Sequence, residues 1–115
     1  MHEYSIIASL TDRVDVELAR HPGARPRKLH VAIGELAGVD VPLLVTAFEV
    51  FRERTSCRDA ELLVEETPAR WCCPRCDAEV ELGARLRCAR CEVPARLTQG
   101  DEILLRQIEM EVPDV

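Results

Sequence analysis

The chain has 115 residues, of which 47% are apolar but only 3% aromatic, and it carries a formal net charge of −6. That length suits one compact domain with a small appendage, not two independent domains each with a large core. The scarcity of aromatics excludes an aromatic-lined substrate pocket, and the negative charge disfavours a phosphate backbone as ligand.

In chain order, Ile6, Leu10, Val14 and Leu18 recur every fourth residue beside Ile7, while Asp12, Arg13, Asp15, Glu17 and Arg20 fall mostly on other faces. This pattern predicts an amphipathic helix from Glu3 to about Ala19, stopped by His21-Pro22-Gly23. A loop is expected from Ala24 to Arg27. Leu29, Val31 and Ile33 then alternate with His30 and Ala32, which predicts a strand over Lys28 to Leu36. Asp40 stands where a side-chain oxygen caps a helix, Pro42 suits the first turn, and Leu44, Phe48 and Phe51 extend a helical stripe to about Arg54. Glu61 to Thr67 reads as a second strand. After the cysteine-rich stretch from Trp71 to Thr98, the segment Asp101 to Val112 reads as a long strand, with Leu104, Ile108, Met110 and Val112 on one parity and a helix as the alternative.

The predicted architecture is α+β: two helices packed on a three-stranded sheet, with a four-cysteine zinc-ribbon-like module inserted before the last strand. Residues 1–70 with 99–115 would form the main domain and residues 71–98 the metal-binding one.

No apolar run is long enough to cross a bilayer, and Met1-His2-Glu3-Tyr4 lacks the start of a signal peptide, so a cytoplasmic location is expected. There the six cysteines should be reduced thiols, which favours metal binding over a disulfide scaffold. Cys73-x-x-Cys76 and Cys88-x-x-Cys91 are two knuckles separated by eleven residues, so four thiolates can converge on one tetrahedral ion. Zinc fits this ligand set best and would take the net charge to about −8. Iron in the same cage would make an electron carrier, and the thiols without metal a redox couple. Four protein ligands leave no open position for water, which marks the zinc as structural. Cys57 and Cys72 read as a buried small residue or an unpaired thiol.

His2 can offer an imidazole beside its own backbone nitrogen, with the Met1 amine within chelating reach, and such a nitrogen set suits square-planar nickel. On residue chemistry alone, a lone terminal histidine is more often a solvated side chain. Glu3 reads as an acidic residue favoured in a first helical turn, and Asp40 as a helix cap.

Met1-His2-Glu3-Tyr4-Ser5, Gly34-Glu35-Leu36 through Asp40, the two knuckles, and Thr98-Gln99-Gly100-Asp101-Glu102 together resemble the HypA/HybF family of hydrogenase nickel-incorporation proteins. That resemblance spans nearly the whole chain. It implies a nickel metallochaperone with His2 as nickel ligand, Glu3 contributing through its backbone or carboxylate, Asp40 as ligand or support, and nickel as transferred cargo. It further implies a maturation GTPase and the immature NiFe hydrogenase large subunit as partners.

Two rival readings remain. One is a zinc-ribbon adaptor binding nucleic acid or protein; within Trp71 to Thr98 five arginines meet four acidic residues, but no aromatics are interleaved for stacking. The other is an enzyme, for which Ser5, Ser9 and Ser56 offer no nucleophile motif and the zinc no open position, so a non-enzyme is expected.

Overall fold

The computed structural model describes residues 2–81 and 85–113. The chain forms two compact units. The first comprises the residues up to Ala32, Val39–Glu65 and the chain from Leu104 on; the second comprises Ile33–Gly38 and Glu66–Ile103.

Helix α1 spans His2–Leu18 and buries Ile6, Ile7, Leu10, Thr11 and Val14, the face expected from the four-residue spacing. Thr11 is buried at little cost because its hydroxyl donates to the Ala8 carbonyl at 3.1 Å. Beyond Leu18 the chain turns through Gly23, whose φ is +82°.

Strand β1 runs over Arg25–Gly34, so the loop expected over Ala24 to Arg27 shrinks to a single residue. Pro26 is buried within the strand, and Arg27 pairs with Glu111. The strand also stops short of Leu36: Gly34 donates its amide to Glu102 at 2.8 Å and the chain then turns. Leu29, Val31 and Ile33 are buried as the alternation requires, but Ala32 on the opposite parity is buried too, at 2% exposure.

Helix α2, Val41–Phe51, starts as expected: the Asp40 carboxylate accepts the Leu43 amide at 3.1 Å and Pro42 sits in the first turn. Leu44, Ala47 and Phe48 are buried. The last turn expected as α-helix, Arg52–Arg54, is a 3-10 turn, tightened where Thr55 donates both its amide and its hydroxyl to the Arg52 carbonyl. In the first unit Ile7, Leu10 and Val14 of α1, Leu29 and Val31 of β1, and Leu44, Ala47 and Phe48 of α2 supply the buried apolar core.

Strand β2 occupies Glu61–Thr67. Strands β3 (Arg70–Cys72), β4 (Glu79–Val80) and β5 (Arg96–Gln99) belong to the cysteine-rich stretch, and β6 spans Ile103–Glu111. β6 is extended, which excludes the helical alternative. One sheet has the order β2-β1-β6 and the other β4-β3-β5. The Glu35 amide donates to Thr67 at 2.8 Å, joining the C-terminal ends of β1 and β2, whereas Gly34 bonds to the residue before β6. The first sheet is therefore mixed, with β1–α2–β2 as a parallel crossover and β6 antiparallel. The second is antiparallel, with Trp71 opposite both Val80 and Leu97.

The expected apolar stripe on β6 is only partly covered. Ile108 and Met110 are half-buried, but Leu104 is 44% and Val112 59% exposed. The acidic residues of β6 are held by β1: His30 hydrogen-bonds Glu109 and Arg27 hydrogen-bonds Glu111, lowering both carboxyl pKa values below the usual carboxylate range.

Within the second unit the backbones pack closely. A Cβ on Gly34 would lie 2.1 Å from the Gly100 carbonyl oxygen, and one on Gly100, whose φ is +111°, would lie 2.5 Å from the Ala69 Cα. The Gly100 carbonyl accepts the Leu36 amide at 2.7 Å, so it cannot withdraw without losing a hydrogen bond. Gly34→Ala should therefore cost about 1–3 kcal/mol in urea denaturation. Gly38→Ala, which adds a Cβ to open space at φ +73°, should cost only the left-handed strain, about 1 kcal/mol.

Candidate metal centre

Each Cys-x-x-Cys segment closes into the same knuckle. In the first, Asp77 donates its amide to the Cys73 carbonyl at 2.9 Å and Cys73 donates to Ala78 at 2.9 Å; in the second, Glu92 donates to Cys88 at 2.9 Å and Cys88 to Val93 at 3.0 Å. The thiol of the leading cysteine is the acceptor of the turn. Arg75 and Cys76 direct amides at the Cys73 sulfur at 3.3 and 3.5 Å, and Cys91 and Arg90 direct theirs at the Cys88 sulfur. Backbone dipoles therefore point at both leading sulfurs.

The two knuckles bring the Sγ atoms of Cys73, Cys76, Cys88 and Cys91 within 4.8 Å of one another, with Cys76 and Cys88 at 3.7 Å. Cys73, Val80 and Cys88 are buried together, and Trp71, Cys91, Val93 and Ala95 pack against them. A core this small cannot fold the module by apolar burial alone. Nor can four crowded thiols all ionise unaided. Its backbone donors lower the Cys88 pKa to about 7, while burial, followed by the neighbouring Cys76, Cys73 and Cys88 sulfurs, pushes Cys91 up to about 12. A thiophilic cation removes that conflict, and four soft donors at one point are the ligand set such an ion takes. The residues present fit a closed, fully protein-ligated metal site.

The knuckles also impose a backbone demand that the Cys-x-x-Cys spacing does not reveal. Asp77 and Glu92, each following the second cysteine of its pair, adopt φ values of +59° and +55°. Asp tolerates the left-handed region better than Glu does. Arg87 is another residue that motif reading passed over: its guanidinium donates to the Glu92 carbonyl at 2.6 Å and braces the second turn.

Cys57 and Cys72 stand apart from the four-sulfur group. Cys57 is fully buried and its pKa is raised, chiefly by burial, so it behaves as a small core residue. Cys72 is half-buried on β3 with its sulfur 3.7 Å from the Thr98 hydroxyl.

Of the candidate nickel residues, His2 opens α1 with its side chain exposed, Glu3 follows half-buried in the first turn, and Asp40 caps α2. Met1 lies outside the described residues. Among the described residues the four cysteines are the one group of three or more His, Cys, Asp or Glu side chains close enough to share an ion; the side chains of His2, Glu3 and Asp40 do not form a second.

Glu92→Gly should stabilise the metal-loaded protein by about 0.5–1 kcal/mol in thermal unfolding, because only glycine occupies positive φ freely. Asp77→Gly should gain less.

Comparison with known proteins gives a consistent family match. Residues 1–110 match the family model described as "HypA: Hydrogenase/urease nickel incorporation, metallochaperone, hypA". The chain is 35% identical to a hydrogenase maturation factor HypA from Wolinella succinogenes, covering 99% of this chain and 98% of that one. It is also 35% identical to one from a Shewanella species, with the same coverage of both chains. Among solved structures it is similar to the solution structure of the Ni metallochaperone HypA from Helicobacter pylori, with a TM-score of 0.75, 29% identity, and 96% and 98% of the two chains covered. A second solution structure, of a HypA protein, superposes with a TM-score of 0.81 at 31% identity over 98% of each chain.

Proposed function

Since the chain belongs to the HypA family of nickel-incorporation metallochaperones, we propose that it binds Ni(II) at its N-terminus and delivers the ion to the large subunit of an immature NiFe hydrogenase. Nickel is cargo in this reading, and the four cysteines hold a structural zinc. A maturation GTPase is the proposed escort, and the cytoplasm the proposed site of transfer. Among the described residues no helix is long and apolar enough to cross a membrane.

The observation that carries the nickel assignment is the position of His2 as the first residue of α1. The first amides of a helix have no intrahelical acceptor, so the main-chain nitrogens beside the exposed imidazole are available. Deprotonation of such an amide, together with the imidazole, supplies the nitrogen donors that square-planar nickel prefers. Glu3 adds a carboxylate to the same helical turn. Asp40 contributes one carboxylate oxygen to the Leu43 amide, leaving the other available for support. Because amide and imidazole must both lose protons, affinity falls as pH drops. A site of few, exposed ligands suits transfer, since an acceptor can replace donors one at a time.

Cys73, Cys76, Cys88 and Cys91 would hold the zinc, which supplies charge neutralisation and a crosslink between the knuckles. With every position taken by protein, it offers no place for substrate.

Metal analysis of the untagged protein tests the nickel assignment. His2→Ala should weaken nickel binding by at least about tenfold while zinc content and circular dichroism stay unchanged; a variant that binds nickel as tightly as the parent would overturn the N-terminal site. The zinc assignment has a separate optical test. Trp71, the sole tryptophan, packs on the sulfur cluster, so a strong chelator should change its fluorescence in step with release of one zinc per chain.

A further inference from the structure

The second cysteine knuckle concentrates positive charge in an acidic chain. Residues 85–96 contain Arg85, Arg87, Arg90 and Arg96 against one acid, Glu92, a formal +3 where the whole chain carries −6. At physiological ionic strength exposed charges are screened beyond about 8 Å, so an approaching ligand meets this local balance rather than the distant acidic surface. Arg85 and Arg87 are both exposed, and neither forms an ion pair among the described residues.

These two arginines line one groove of about 510 Å³, together with Cys88, Ala89 and Glu92, a volume in the range of ligand-binding clefts. Its wall is held firmly. Cys88 donates its amide to Val93 at 3.0 Å and Ala95 donates to Leu86 at 2.7 Å; Arg87 pairs with Pro94 across the hairpin, and its guanidinium donates to the Glu92 carbonyl at 2.6 Å. Leu86, between the two arginines, has a φ of +50°, an outlier for a bulky side chain. The metal turn does not require it, because Trp71, at the same offset from the first knuckle, lies in the regular strand β3. Strain of this kind clusters at binding and active sites. Nor do the arginine side chains hold the sulfurs. Backbone amides do so, from Arg75 and Cys76 at Cys73 and from Cys91 and Arg90 at Cys88.

We propose that this groove binds an acidic peptide segment of a partner protein, extended and carrying carboxylates on alternate residues. Alternate residues of an extended chain project to one side about 6.5–7 Å apart. Arg85 and Arg87, two residues apart on a chain that spans at most about 7 Å over that distance, match the repeat. Their guanidinium forks suit carboxylates, which they take bidentately. A single-stranded nucleic acid carries the same sign of charge but binds through stacking platforms, and the groove lining contains no aromatic residue. Nickel takes no part in this contact, which is independent of the N-terminal site.

Fluorescence anisotropy of a labelled hexaglutamate peptide, titrated with the full zinc-loaded chain at about 0.15 M salt, tests the groove. Binding is expected with a Kd on the order of 100 µM, against none measurable for hexaglutamine. Arg85→Glu should weaken it at least about fivefold, the worth of one exposed ion pair, with zinc content and circular dichroism unchanged. Arg58→Glu, a charge reversal in the first unit, should weaken it by less than about twofold, since that charge is screened from the groove. Hexaglutamate binding no tighter than hexaglutamine would rule the site out. Equal losses in both variants would do the same, as the mark of diffuse charge, and so would an oligothymidylate bound more tightly than the peptide, which would assign the arginines to phosphate. Loss of zinc from Arg85→Glu would make that arginine a support of the metal cage and likewise overturn the proposal.

Discussion

Four thiols within 4.8 Å of one another set the central physical constraint on the second unit. Charge on any one sulfur raises the cost of charge on the others, and the surroundings treat the sulfurs unequally: backbone amides of Cys91 and Arg90 lower the Cys88 pKa, while burial and then the neighbouring sulfurs raise that of Cys91. A bound cation resolves that conflict, and much of the local architecture is arranged around it. The knuckle amides point at the leading sulfurs, the short strands β3, β4 and β5 hold the knuckles in place, and the apolar residues around Trp71 do no more than fill the space between them. Asp77 and Glu92 accept left-handed conformations because the turns that aim the sulfurs require them. Local strain is tolerated where the surrounding structure over-determines the backbone.

The contrast with the N-terminus is chemical. Sulfur ligands enclosed by four protein donors bind an ion firmly and leave nothing for exchange, whereas an imidazole and main-chain nitrogens at a helix start are few, exposed and sensitive to protons. In the proposed function these opposite properties serve opposite ends: retention at the cysteines and release at His2. In the proposed function Asp40 would serve structure and site together, since capping α2 engages only one oxygen of its carboxylate.

The packing of Gly34 against Gly100, and of Gly100 against Ala69, explains two segments whose sequence signal is weak. Gly34-Glu35-Leu36, expected as the end of a strand, and Thr98-Gln99-Gly100 are hydrogen-bonded to each other and to Thr67 and Glu102. Each glycine is required by what lies opposite it. β6 presents the reverse situation. Its composition announces a core strand, but as an edge strand it keeps Leu104 and Val112 in solvent.

Much of the fold was legible because it depends on local chemistry. The four-residue spacing of Ile6, Leu10 and Val14 specified the buried face of α1, Asp40 and Pro42 marked the start of α2, and β2 has the bounds expected of it, Glu61–Thr67. The cysteine pairs announced a soft-metal site because their spacing allows only a narrow set of turns. What periodicity misread was decided by neighbours distant in sequence. Arg25 to Arg27 became strand because β6 offers Glu111 to Arg27. Ala32 was buried on the parity expected to face outward. The 3-10 turn at Arg52 to Arg54, by contrast, was settled locally, by Thr55 closing on the Arg52 carbonyl. Local propensity and ligand type are properties of the residues themselves, so the sequence alone determined the elements and the donor chemistry. Which strand lies at an edge, which glycine meets another backbone, and which turn residues must adopt positive φ depend on contacts that exist only once the chain has closed on itself, and those the tertiary structure decided.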